Sequence, residues 1–320
     1  MIIDCMSNQT SMTEFLLLEF SDIRGLQIMQ FVVFLIFYLA AISGNLIIIF
    51  AVIFDHQLHT PMYFFLMNLA ITDLGTVSVT IPKSMSNSLM NTRLISYVGC
   101  IFQVSLFLLF AASDYTLLTI MAHDRYIAIC NPLRYEVIMN KGACIQMAGS
   151  ASLVYAMLLT TITFQLYFCG LNIIGQFFCD VPQLQKISCT DTKFNQIFMW
   201  IVGFIAGSFC TGFVFASYGY IFSVILKSPS TQGRYKTFST CSPHLTVYSL
   251  FIITSMFSYL RPQTLSSPTI DLLSAVLYAV LPPVLNPIIY SFRNKDIQEA
   301  VWKVILMFRK VVHSSGFDCC

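Results

Sequence analysis

Charge is what this chain has least of. Of its 320 residues, 17 are Lys or Arg and 15 are Asp or Glu, or 10%, where a soluble domain carries about a quarter. Apolar residues make up 57% and aromatic residues 14%, and mean hydropathy is +0.75. A soluble monomer with so little charge would expose large apolar patches and aggregate. The scarcity excludes disorder, nucleic-acid binding and a soluble enzyme core. A net charge of +2 is too small to imply a polyanionic partner. Other signals are missing too. There is no Gly-rich phosphate loop and no Ser/His/Asp or Cys/His catalytic set, so the chain is read as a non-enzyme. His56 and His59 stand three apart without a third ligand and are read as loop histidines. No cleavable leader is read in the early run Phe15–Phe20, which is short, contains Glu19 and lacks a basic flank.

What is there is long apolar runs between sparse charges. Residues 25–54 carry no charge, 56–82 carry only Asp73, and 94–123 only Asp114. The stretches 142–179, 194–226, 237–260 and 272–292 carry none. A bilayer core needs roughly 20 apolar residues as helix, so seven spans are expected, with 142–179 read as one helix plus the start of an outer loop. The runs are continuous, unlike the alternation of a membrane barrel. The fold class is therefore an all-α membrane protein, a seven-transmembrane helix bundle. Residues 1–26 are expected as an extracellular segment, 27–293 as the helix domain and 294–320 as a cytoplasmic amphipathic helix and tail.

Lys and Arg set the orientation. With the amino terminus outside, the inner segments hold eleven of them and the outer segments six, which favours an extracellular N-terminus and a cytoplasmic C-terminus. Asn8-Gln9-Thr10 is a glycosylation sequon on the predicted outer side. Cys100, Cys169, Cys179 and Cys189 all fall on that side. An oxidising exterior permits two bridges, and four cysteines allow three pairings. Cys5 would be left over outside, and Cys319 and Cys320 at the inner tail are candidates for lipidation.

The third span can be read as a helical wheel. Cys100, Gln103, Phe107, Ala111, Asp114 and Arg125 share one face at 100° per residue. At 1.5 Å per residue, Asp114 lies about 16 Å from Arg125 along the axis and Phe107 about 27 Å. The face reads, from outside inward, as anchor, pocket, mid-membrane charge and cytoplasmic switch. A mid-membrane carboxylate costs several kcal/mol unless paired or hydrated, and both Asp73 and Asp114 sit there. Two neighbouring carboxylates need a cation or a shared proton. Beyond Arg293, Ile297, Val301, Val304, Ile305 and Phe308 follow helical spacing, with Lys303, Arg309 and Lys310 beside them. That pattern predicts a helix lying along the inner membrane surface.

Four strings narrow the reading further: LHTPMYFFLMNLAITD (58–73), MAHDRYIAICNPLRY (121–135), KTFSTCSPHLTV (236–247) and LNPIIYSFRNK (285–295). With the outer loop FCGLNIIGQFFCDVPQLQKISCTDT (168–192), they resemble the odorant (olfactory) receptors among the rhodopsin-like G-protein-coupled receptors. The resemblance runs from about residue 10 to residue 306. It implies bridges Cys100–Cys179 and Cys169–Cys189. It implies a sodium or water site at Asp73 and Asp114, with Asn45 and Asn286 nearby, and no other cofactor. It implies a G-protein switch at Asp124, Arg125, Tyr126, Tyr218, Asn286, Pro287 and Tyr290. Proline leaves a kink in the last span that can pivot. The chain departs from the family pattern at His123, Asn131, Gln176, Ile252 and Pro282.

The implied ligand is a small, mostly neutral volatile molecule held by Phe107, Leu108, Ala111, Ala112, Val202, Ala206, Ile252, Ser255, Tyr259, Val276 and Ala279. No lysine stands in residues 262–292 to carry a retinal, and Phe107 stands where amine receptors carry an acid. The implied output is a stimulatory, olfactory-type G protein raising cyclic AMP, at the plasma membrane and in contact with its lipids. The alternatives are a receptor for a non-volatile ligand outside the nose, or a transporter with Asp73 and Asp114 lining a path. Against the transporter, the chain shows no inverted repeat or matched pair of broken helices.

Overall fold

The computed structural model describes residues 13–18, 23–90, 92–135, 139–168, 172–190, 192–227, 231–260 and 267–315. The long helices are α1 (Arg24–Phe54), α2 (Pro61–Met90), α3 (Tyr97–Cys130), α4 (Lys141–Phe164), α6 (Lys193–Lys227) and α7 (Thr231–Tyr259). The short helix α5 (Val181–Lys186) lies in the loop between α4 and α6. The seventh span is a broken pair, α8 (Pro268–Ala279) and α9 (Leu281–Arg293), followed by α10 (Lys295–Ser315).

Local chemistry sets the ends of these helices. Ser96, Asn140 and Ser267 cap α3, α4 and α8, accepting from Gly99 N–H at 3.1 Å, Ala143 N–H at 3.2 Å and Ile270 N–H at 3.3 Å. Pro61 opens α2, where its missing N–H costs nothing. The seventh span breaks at Val280 because Pro282 and Pro283 withhold two consecutive donors.

Among the described residues, α1, α2, α3, α4, α6 and the stretch Pro268–Arg293 are long and apolar enough to cross a membrane. Helix α7 is long enough at 29 residues, but its first half carries Ser239, Thr240, Ser242 and His244. It holds its place by packing on α8, α9 and α3. The sequence reading of seven spans thus stands, six on hydropathy and one on packing. Large side chains such as Phe194, Phe204 and Phe209 on α6 are exposed, as lipid-facing positions of a bundle must be.

One feature was absent from the all-helical expectation. Glu14–Leu17 (β1) pairs antiparallel with Leu94–Ser96 (β2) and parallel with Ile173–Ile174 (β3). Phe15 and Leu17 point down from this three-stranded patch and are fully buried against Cys100, Leu159 and Leu184. Alternation over four residues was too short to announce a strand. At the opposite end, Ile297, Ala300 and Val304 of α10 are buried against the bundle. Lys303 Nζ reaches Asp55 in the α1–α2 turn at 2.6 Å and so supplies a cation to a turn that has no Lys or Arg of its own.

Candidate functional site

A lid covers one end of the bundle. Cys100 at the start of α3 is bridged to Cys179, 79 residues later, with Cα atoms 5.6 Å apart. This is one of the two bridges expected. Cys189 is also disulfide-bonded, while its expected partner Cys169 lies outside the described residues, as does the sequon residue Asn8. The bridge brings the loop backbone over the helices, where Cys179 N–H donates to Gln103 Oε1 at 2.8 Å. Gln103 in turn donates to the Val79 carbonyl at 2.9 Å. Phe177 and Phe178 insert below, packing with Phe34, Phe107 and Tyr278. Lys186 of α5 pairs with Asp271 of α8 at 2.9 Å.

The residue after the bridge, Asp180, was not singled out from the sequence. It is buried, and its carboxylate accepts from Tyr259 at 3.1 Å, from Tyr278, and from Val181 N–H at 2.8 Å. Burial pushes this carboxyl above the usual carboxylate range, with the Tyr278 hydrogen bond opposing the shift. A lone acid beside a bridging cysteine was the available signal, since such a charge lands over the bundle and needs donors.

Below the lid lies a cavity of about 40 Å³, the volume open to the centre of a water molecule. Its α3 wall is Phe107, Ala111, Asp114 and Leu118, spaced i, i+4, i+7 and i+11 on the face read from the helical wheel. Ser255 and Tyr259 line it from α7, as expected, and Val247 and Phe251 join them. Helices α8 and α9 contribute Tyr278, Pro282, Pro283 and Asn286, and α2 contributes Leu69 and Thr76.

The other expected pocket residues lie elsewhere. Leu108 is buried towards α4, against Leu159. Ala279 is buried and Val276 half-buried in the aromatic cluster beside the cavity. Ala112 and Ile252 are half-buried outside its lining, Val202 is half-buried and Ala206 exposed. The reason for the last two is geometric. The buried residues of α6 all fall between Val214 and Ile225, so its first half leans away from the cavity.

The cavity floor joins the two mid-membrane acids. Asn286 donates to both oxygens of Asp73, at 3.2 and 2.9 Å, and Asp114 accepts from Thr72. Asn45 does not touch either acid but ties α1 to α9 through the Pro283 carbonyl at 2.9 Å. Two atoms at the floor are buried without a hydrogen-bond partner, Thr76 Oγ1 and Asn286 Oδ1. Two carboxylates, an amide oxygen and a hydroxyl form an all-oxygen donor set, which suits a hard cation such as sodium. Among the described residues no three His, Cys, Asp or Glu side chains converge as a metal site.

At the far end of α3, Asp124 is fully buried. It lies 3.7 Å from Arg125 Nε and accepts from Tyr135 at 2.6 Å. A second, smaller cavity of about 20 Å³ is lined by Arg125, Met121, His244, Tyr290 and Asn294. His244 bridges three helices. Its Nε2 donates to the Leu118 carbonyl of α3 and its Nδ1 accepts from Tyr218 of α6, both at 2.8 Å. Tyr126 is half-buried and accepts from Asn131 at 3.3 Å. The Tyr290 hydroxyl is buried without a partner, one helical turn beyond Pro287. Of the expected switch residues, Asp124, Arg125, Tyr126, Tyr218 and Tyr290 gather at this end, where Tyr135 and His244 join them, while Asn286 lies at the floor of the first cavity on Asp73.

Known proteins resemble this chain along most of its length. The olfactory receptor family model matches residues 34–308. Human olfactory receptor 14C36 is 46% identical over 303 residues, covering 94% of this chain and 97% of that one. Human olfactory receptor 14A2 is 47% identical over 304 residues, covering 94% and 96%. The crystal structure of squid rhodopsin superposes with a TM-score of 0.68 at 16% identity, covering 89% of this chain and 87% of that one; at that identity the match speaks for the fold.

Proposed function

This chain belongs to the olfactory receptor family of rhodopsin-like G-protein-coupled receptors, a family of multi-pass plasma-membrane receptors and not of enzymes, and on that footing we propose that it is an odorant receptor for small, mostly neutral volatile molecules, coupled to a stimulatory G protein. One observation carries the reading: a single face of α3 lines a lidded cavity at one end and presents Arg125 at the other. The disulfide end faces outward and the α10 end faces the cytoplasm, in keeping with the excess of Lys and Arg there. At about 40 Å³ the cavity is far below the ~300–1,000 Å³ of ligand clefts, so the closed lid corresponds to a resting state and ligand entry expands it. A ligand shifts the receptor only by preferring the state in which Asp124 releases Arg125. Residues Asp73, Asp114, Asn286 and Thr76 would hold a sodium ion in the resting state, where its charge would offset the two carboxylates. The second bridge, Cys169–Cys189, would fasten the lid to itself.

The test is a cyclic-AMP reporter in cells expressing the full chain, challenged with a broad panel of neutral odorants. Responses from wild type, and none from Arg125→Ala at matched surface expression, are expected. Undiminished signalling by Arg125→Ala would refute the switch assignment. A response confined to non-volatile ligands would favour the alternative receptor class.

A further inference from the structure

A column of rings runs between the two cavities. Phe251 of α7 lines the first cavity and lies flat on Tyr115 of α3, with ring centres 5.8 Å apart and planes 12° apart. Tyr115 lies in turn on Tyr248, at 6.3 Å and 17°. Tyr248 lies on His244, one turn nearer the Arg125 end of α7, at 6.4 Å and 19°. His244 lies on Tyr218 of α6, at 5.7 Å and 26°, and lines the second cavity beside Arg125. Five rings from three helices thus run along about 10 Å of α7, each pair at a separation where aromatic rings attract. Beside the column, three hydroxyls form a chain with one direction. Tyr115 donates to the Gly207 carbonyl of α6 at 2.8 Å, and Tyr248 donates to Thr211 Oγ1 at 2.9 Å. Each hydroxyl has one proton, so Thr211 donates to Tyr115, at 2.7 Å. The chain ties α7 to α6 and α3 at one point. Thr211 stands three residues outward of Val214, the first buried residue of α6, so the tie closes the bundle where α6 begins to leave it. Tyr115, Thr211 and Tyr248 line neither cavity.

We propose that this hydroxyl chain is a latch on the resting state, and that the ring column carries a displacement of Phe251 from the first cavity to it. The inference rests on the reading of the cavity as the ligand site and of Arg125 as the switch, and it names the element between them. A molecule larger than the cavity must push its walls apart, and Phe251 cannot turn without tilting the Tyr115 ring that lies flat against it. The Tyr115 hydroxyl is at the far end of that ring, held by two short hydrogen bonds that weaken steeply with misalignment. Members of such a chain also polarise one another, so the loss of one bond weakens the rest. Losing them frees Tyr248, and with it the half of α7 that sets His244 beside Arg125. A packed column of this kind switches between discrete arrangements and does not deform continuously.

The experiment needs no ligand. Basal cyclic AMP is measured in cells expressing the full chain at matched surface density. Hydrogen exchange over the inner half of α7 (residues 232–244) is measured on purified receptor in lipid nanodiscs, without a G protein. Tyr248→Phe and Thr211→Val each remove a hydroxyl and keep the side-chain shape, and each should raise both readouts by about two- to tenfold. The double variant should exceed Thr211→Val by less than about twofold, because the two residues share one bond. Phe251→Leu removes the first ring and should raise exchange by about two- to tenfold. Thr246→Val takes a hydroxyl from the exposed face of α7, where it donates to the Ser242 carbonyl at 2.9 Å, and should change neither readout. If one latch variant fails to reach the surface, Tyr115→Phe, which breaks the same chain from α3, takes its place. Unchanged exchange in the latch variants, effects that multiply in the double variant, or an equal rise in Thr246→Val would each overturn the latch. Unchanged exchange in Phe251→Leu would overturn the column as the route from the cavity. Raised exchange with flat cyclic AMP would uphold the latch and count instead against coupling to a stimulatory G protein.

Discussion

Removing the Asp180 carboxylate tests how the lid is held. In the wild type it satisfies Tyr259, Tyr278 and the first N–H of α5. Asp180→Ala leaves two phenol hydroxyls under the lid without an acceptor. Each such orphan costs about 1–3 kcal/mol, together about 2–6. Part of that is offset, because a buried carboxylate is itself expensive to desolvate, and burial is the leading cause of its raised pKa. A net loss of about 2 kcal/mol is expected, or a fall in Tm of about 3–6 °C for a chain of this length. The assay is thermal unfolding of purified receptor in nanodiscs, run as a double-mutant cycle with Tyr278→Phe. Residues that share a hydrogen bond should couple by about 1–2 kcal/mol. The pH dependence has a definite sign. The folded-state pKa lies above the ordinary value of 3.8, so the associated stability is complete below that value and is lost as pH rises through the folded one. Wild-type Tm should therefore fall, relative to Asp180→Asn, as pH climbs from about 4 towards neutrality. Additive effects of Asp180→Ala and Tyr278→Phe, with parallel pH curves for wild type and Asp180→Asn, would show that the carboxylate does not hold the lid.

Three further outcomes are expected. The Cys100–Cys179 bridge closes a loop of 79 residues, worth about 4–5 kcal/mol on the chain-entropy estimate, so Cys100→Ser or Cys179→Ser should abolish surface staining, and wild-type staining would contradict that. Tyr135→Phe removes the hydroxyl that donates to Asp124 at 2.6 Å and weakens the hold on Arg125, so basal cyclic AMP at matched expression should rise by about two- to tenfold, on the ~0.5–1.5 kcal/mol of one hydrogen bond; a fall or no change would mean that Tyr135 is a spectator. Phe107→Asp puts an unpaired charge among Phe178, Tyr278 and the cavity and should cost agonists at least tenfold in potency; unchanged potency would place the ligand elsewhere.

How much of this was legible in the sequence depended on which physical rule applied at each residue. The spans were readable because lipid accepts only long uncharged helices, and even α7, the least apolar, was fenced by Lys236 and Arg261. The cavity wall on α3 was readable at Phe107 and Ala111 because Asp114 fixed the rotational phase of that helix: a carboxylate must turn inward, and those two follow by periodicity, while Leu118, one turn further in, was not singled out. Helix α6 has no such marker over its first half. Every face there is apolar, so nothing distinguishes the side of Val202 and Ala206 from the side that meets lipid. The lid was readable only at its covalent anchor. That Asp180 would meet Tyr259 and Tyr278, which stand 79 and 98 residues away, depends on where the loop lands, and no local pattern encodes that. The floor falls between these cases. Asp73, Asp114 and Asn286 were each visible as polar groups in lipid, but Thr76 and its partnerless hydroxyl were not, since a threonine in a helix ordinarily bonds to the carbonyl one turn back, as Thr80 does to Thr76 at 2.9 Å. Thr76 lacks that bond and its hydroxyl is buried at the cavity floor without a partner, so its place there followed from how the helices pack against one another and not from any local pattern in the sequence.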